Sequence, residues 1–191
     1  MKNNKLIRTG IVLLTSIFFL STTLISCKNN DDVEPTISQI AVSMKGFSQL
    51  EAAAIRGGVA VTLSNKNAGD PSGNFTVFAP TNAAFAQFLD DNGFDSLEAI
   101  PIPTLRQVLL NHMVTGVNMS TDLSTGYIKT LAKGAASSTN FLSMFVNTSS
   151  GVRLNGVSSV TTPDIVASNG VIHVVDAVIG LPTVVTHAAA N

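Results

Sequence analysis

Residues 74–88, NFTVFAPTNAAFAQF, pass from strand-type to helix-type hydrophobic spacing within a few positions. Phe75, Thr76 and Val77 alternate, and Phe78 follows as a further apolar residue. Aromatic and β-branched residues in such a run form a strand half-buried against a core. Pro80 ends the ladder because it carries no backbone N–H. Thr81 is placed to cap a helix through its hydroxyl, and Asn82 beside it is a residue that can face a partner. Ala84, Phe85, Phe88 and Leu89 then fall on one helical face. A strand that becomes an amphipathic helix across two residues is a compact nucleus on which the rest of the chain must pack.

Around this nucleus, helices come mostly before strands. Spacing predicts helices over residues 36–44, 48–57 and 59–63, the second with Leu50, Ala54 and Ile55 on its inner side. A loop follows over 64–73, then a turn over 97–100 capped by Ser96. A helix over 105–111 turns Leu105, Val108, Leu109 and His112 inward. Short strands are expected at 113–117, 127–132, 141–147, 152–154, 157–160, 164–167 and 171–176. Asn155-Gly156 and Asn169-Gly170 both favour type I′ hairpins, which need φ > 0 at both central positions. This order predicts an α+β fold rather than alternating βαβ units. No internal repeat is evident, so residues 36–182 read as one domain followed by a tail over 183–191.

The N-terminus has a different character. Lys2, Lys5 and Arg8 precede an apolar run over 11–20, and small and polar residues lead into LISC, which ends at Cys27. Residues 1–26 have the shape of a secretory signal whose apolar part is short for a spanning helix. LISC resembles the bacterial lipobox, which implies lipidation of Cys27 after cleavage before it and a membrane anchor of several acyl chains. Residues 27–35 are then the lipidated cysteine and a polar tether. The Asp31-Asp32 pair in that tether resembles the surface-export signal of Bacteroidetes lipoproteins. Cys27 is the single cysteine, so no internal disulfide can form. Loss of the three leader cations takes the formal charge from −1 to −4, and no Lys/Arg cluster stands out, which argues against nucleic acid as a partner.

Five stretches together carry a resemblance over residues 36–182. TVFAPTNAAF, LLNHMVTG and TPDIVASNGVIHVVDAVIGLP occur in that order, with TLAKG and RLNG between the last two. They resemble the signatures of the fasciclin domain, an extracellular adhesion module. The resemblance implies two small β-sheets packed as a wedge with flanking α-helices. It also nominates contact residues. Asp164-Ile165 matches the Asp-Ile motif through which some animal fasciclin domains are thought to contact integrins. Asn111-His112 stands where the family has a Tyr-His pair implicated in both adhesion and packing, with Asn111 in place of the tyrosine. Asp95-Ser96-Leu97 resembles an O-glycosylation acceptor of Bacteroidetes.

Chemistry beyond contact finds little to build on. No HxH, HExxH or CxxC spacing offers a metal site, and neither GxSxG nor SxxK offers a nucleophile. No cofactor is expected. His112 and His173 sit among apolar neighbours and read as polar residues inside a wall, bonded to backbone. Asp164 and Asp176 are the acids of the predicted core strands, one following Pro163 at a turn and the other opening the last segment, which is a poor basis for paired-carboxylate chemistry. A sugar-binding cleft often uses exposed Trp or Tyr, so a chain with ten Phe, one Tyr and no Trp is a weaker fit to a dedicated lectin-type platform. The first reading is an envelope lipoprotein of the outer membrane that binds a protein or polysaccharide without turnover. Alternatives are an envelope enzyme or accessory protein of glycan uptake, and a structural spacer.

Overall fold

Strand β1 (Phe75–Pro80) is buried along its whole length because a layer lies on each side of it. In the computed structural model, which describes residues 34–134 and 139–181, Phe75, Val77 and Ala79 join a core built largely from helices. Phe78 points the other way, into a second cluster with Val114, Met144, Val146, Leu154, Val175 and Ile179. The leader, Cys27, nearly all of the tether and the 183–191 tail lie outside the described residues.

The helices are α1 (Ile37–Ser43), α2 (Ser48–Gly57), α3 (Ala60–Ser64), α4 (Asn82–Asp91) and α5 (Ile102–Asn111), with a 3₁₀ turn at Leu97–Ala99. The remaining strands are β2 (Met113–Thr115), β3 (Gly126–Lys133), β4 (Phe141–Asn147), β5 (Arg153–Leu154), β6 (Ser158–Ala167) and β7 (Gly170–Val175). Their order is β2-β1-β7-β6-β5-β4-β3. Strands β1 and β7 run parallel from Phe75↔Gly170 to Pro80↔Val175; the other pairings are antiparallel.

Strand β6 belongs to two sheets. Ser158 and Ser159 pair with β5, whereas Val160 through Ala167 pair with β7. The ladder with β7 shifts register between Val160 and Thr162 and again between Thr162 and Ile165. Such irregularities bend a strand and increase its twist. The two four-stranded sheets sharing β6 are the expected wedge, with the Phe78 cluster between them and the helical core on the far side of the first sheet.

Local rules explain most boundaries. Thr36 closes a capping box with Gln39 at the start of α1. Thr81 accepts from the Ala84 N–H at 3.2 Å and caps α4. Pro103 sits in the first turn of α5, where its missing donor costs nothing, so the helix begins at Ile102, ahead of the predicted 105. Several expectations are corrected. The strands predicted at 157–160 and 164–167 are one element, β6, because its irregular middle does not end the pairing. Ile55 is 65% exposed, since α2 turns Ala53, Ala54 and Gly57 inward instead. Ser96 precedes the 3₁₀ turn without capping it through its side chain.

The two Asn-Gly pairs differ. Asn155 and Gly156 both have positive φ, 50° and 71°, as a type I′ turn requires. At the second pair only Gly170 does, at 151°, and a Cβ there would lie 2.0 Å from the Phe75 carbonyl oxygen. Asn169 serves a longer-range purpose. Its Oδ1 accepts from the Ile37 N–H at 2.9 Å, and its Nδ2 donates to the Leu63 and Asn65 carbonyls at 2.9 and 3.0 Å. The neighbouring Ser168 N–H donates to the Pro35 carbonyl at 3.0 Å. The β6–β7 turn thereby holds both α1 and the end of α3.

Candidate functional site

The nominated residues occupy three places. At the end of α5, Asn111 and His112 are 1% and 2% exposed. His112 Nδ1–H donates to the Val108 carbonyl at 2.7 Å, and Nε2 accepts from the Ile179 N–H at 2.8 Å. Asn111 Nδ2 donates to the Gly180 carbonyl at 3.1 Å, while its Oδ1 accepts from the Thr130 hydroxyl at 3.1 Å. The pair therefore fastens residues 179–180 onto α5 and β3. Burial lowers the His112 pKa to about 4, because a charged imidazole there would lose its hydration.

Asp164 lies in the irregular middle of β6 with a positive φ of 63°, a conformation Asp tolerates better than most residues. Its carboxylate accepts from both the N–H and the hydroxyl of Ser120. Those bonds hold its pKa below the usual carboxylate value. Its own N–H donates to His173 Nδ1 at 3.1 Å, and His173 Nε2–H donates to the Asn118 carbonyl at 2.8 Å. The fully buried His173 also lies beside Phe78, with ring centroids 5.4 Å apart. Thr76 completes the arrangement: its hydroxyl donates to the Gly116 carbonyl at 2.7 Å and accepts from the Asn118 N–H at 2.9 Å. The segment after β2 is thus fastened by β1, β6 and β7 together. Ile165 is half-buried against the helical core, while the Asp164 side chain keeps 27% of its surface open.

The third place is the start of α4. Beyond the Thr81 cap, Asn82 Oδ1 accepts from the Gln49 N–H at 2.9 Å and its Nδ2 donates to the Ser48 hydroxyl at 3.0 Å. Asn82 therefore satisfies one orphan N–H in the first turn of α2 and holds the Ser48 side chain beside it. The sequence patterns located these six residues but missed Ser120 and Thr130, which bond Asp164 and Asn111, and Asn118, which bonds His173. Those bonds span 19 to 55 positions along the chain, and nothing local marks them.

The geometry offers support for loops and termini more readily than a reaction centre. A groove of about 420 Å³ runs between α1, α2 and α3, lined by Ala41, Val42, Leu50, Ala54, Ile55 and Leu63 among others. Glu51 is its one titratable lining residue, and neither His112, His173 nor Asp164 reaches it. Among the described residues no three His, Cys, Asp or Glu side chains group as metal ligands, and no helix is long and apolar enough to cross a membrane. His173 and Asp164 do meet, but the hydroxyl beside them, Ser120, donates to the carboxylate rather than to the imidazole. That is the wrong connectivity for activating a serine.

A fasciclin domain profile matches residues 45–182. The chain is 32% identical over 145 residues to the uncharacterized protein sll1735 of Synechocystis, covering 76% of this chain and 97% of that protein. It is 33% identical over 152 residues to protein sll1483 of the same organism, covering 78% and 74% respectively. Among solved structures it is similar to the domain pair of the insect cell adhesion molecule fasciclin I, with a TM-score of 0.59 and 17% identity. That match covers 77% of this chain and about half of the solved one, 51%, and it establishes the likeness of fold. On the signatures, the profile and the relatives together, the chain belongs to the fasciclin domain family, whose members are generally adhesion modules.

Proposed function

We propose that this protein is an envelope lipoprotein, anchored through Cys27, whose one fasciclin domain mediates adhesion by holding a protein or polysaccharide partner without turnover. What supports the reading most is the commitment of the polar interior. Both described histidines and Asn111 spend their hydrogen bonds on backbone and side chains that shape the domain. That leaves the exposed surface as the place where contact is made. The lipobox-like LISC and the acidic Asp31-Asp32 pair support an outer-membrane lipoprotein of the Bacteroidetes kind, displayed toward the outside. Confinement on a surface suits weak contacts, because many copies acting together raise the effective affinity. Asp164 with Ile165, and Thr81 with Asn82, are the nominated contact pairs that retain some solvent exposure; Asn111 and His112 would act by holding residues 179–180 in place. No role for nucleic acid, metal or cofactor enters the proposal.

Two measurements test it. Radiolabelled palmitate should enter the wild-type chain and be absent from Cys27→Ala; label that persists in the variant overturns the anchor. Capture from solubilised envelope by the purified protein should enrich a discrete protein or glycan, and conversion of that ligand to a product would overturn the non-catalytic reading.

A further inference from the structure

The second sheet has an outer face that none of the family signatures marks as a contact. Tyr127 and Phe145 are cross-strand partners with ring centroids 5.1 Å apart. Lys133 and Phe141 are likewise partners, and the Lys133 ammonium lies 5.4 Å from the Phe141 ring centroid. Phe141 and Phe145 are four residues apart on β4, so both point to the same side. Lys129 opposes Ser143 on that side, and Arg153 joins it opposite Asn147. Tyr127 at 56% and Phe141 at 48% are the exposed aromatic residues of the described chain, and both are here.

Charge sets this face apart further. The stretch from residue 123 to residue 163 contains Lys129, Lys133 and Arg153 and not one Asp or Glu, in a chain with 12 acids and 11 bases. Among the described residues none of these three cations is ion-paired. A cationic side chain left unpaired beside an exposed ring can bind an anion and an apolar surface at once.

We propose that the outer face of β3, β4 and β5 is a binding site for an acidic polysaccharide, one bearing carboxylate groups along its chain. Tyr127, Phe141 and Phe145 would take the apolar faces of sugar rings, while Lys129, Lys133 and Arg153 would take the carboxylates. An extended strand pair with one side open supplies an elongated platform, which suits a linear polymer better than a small ligand. This inference rests on the adhesion reading and names the partner class and surface it would use.

The test is affinity electrophoresis of the detergent-solubilised full chain through gels containing polygalacturonate, neutral dextran, polyphosphate or phosphatidylglycerol vesicles. Retardation by polygalacturonate, weakened by salt, and none by dextran is expected. The Lys129→Ala/Lys133→Ala/Arg153→Ala variant should bind polygalacturonate about tenfold more weakly. Tyr127→Ala, at an exposed position, should weaken polygalacturonate binding while leaving any polyphosphate binding unchanged. Equal retardation of all variants, or no retardation by polygalacturonate, overturns the site. Binding to polyphosphate or vesicles that matches polygalacturonate and ignores Tyr127→Ala overturns the sugar assignment. A partner protein captured with full strength by the triple variant would sink this proposal and leave the adhesion reading intact. Matching thermal unfolding of the variants and the parent excludes misfolding as the cause of any loss.

Discussion

The two sheets of this domain obey different rules. Strands β1 and β7 are buried at every residue, because the first sheet lies between the helices and the second sheet. Strands β3 and β4 alternate between covered and open positions, because the second sheet has a layer on one side only. Side chains of the first sheet are therefore constrained by volume and by satisfaction of every polar atom. On the outer face of the second, they are free to vary in chemistry at little structural cost. A fold arranged this way keeps its specification in one sheet and leaves the other able to carry recognition.

Substitutions that contrast the sheets should separate these regimes. Phe78→Ala, at a side chain with no exposed surface between the sheets, should cost about 3–5 kcal/mol in chemical denaturation. A loss below about 1 kcal/mol would mean that the inter-sheet cluster is loosely packed. The next largest effect is that of pH. His112 is neutral and buried in the fold, with a pKa of about 4 against 6.5 in the unfolded chain. The unfolded state therefore takes up protons first as pH falls, so stability declines between about 6.5 and 4, by as much as about 3 kcal/mol. Denaturation midpoints across that window should show the slope, and His112→Gln should flatten it. Asp164 acts in the same sense but lower down. Its folded pKa lies below 3.8, so its contribution is present above that pH and is lost as pH falls further.

Smaller effects sharpen the contrast. Thr81→Ala removes the cap of α4 and should cost about 0.5–2 kcal/mol, read as a lowered unfolding temperature. Tyr127→Ala on the open face should stay within about 0.5 kcal/mol of the parent. A much larger loss there would show that the outer rings are needed for folding and would blur the distinction between the sheets.

The parts visible in the amino-acid order are the local ones. Residues 74–88 form the predicted strand and helix, Thr36 and Thr81 cap as their chemistry requires, and Asn155-Gly156 makes its turn. Each rests on interactions within a few positions. Asn169-Gly170 looked the same but is governed by contacts far along the chain: a glycine pressed on Phe75 and an asparagine reaching Ile37 and Leu63. The sharing of β6 escaped periodicity because its irregular middle resembles a loop when taken alone. The Tyr127–Arg153 face escaped because no single motif marks it; it depends on registers that place β3, β4 and β5 side by side, although the absence of acids from 123 to 163 is a signal available in the order of residues.

The bond between Ser168 and Pro35 has a mechanical consequence. Tension arriving from the N-terminal side meets the domain at the β6–β7 turn, through that bond and the Asn169 clasp on Ile37, before it reaches any strand pairing. Under load, α1 would peel away and lengthen the connection before the parallel β1–β7 ladder behind it gives. A module held at that end would stretch at its hem and keep its weave.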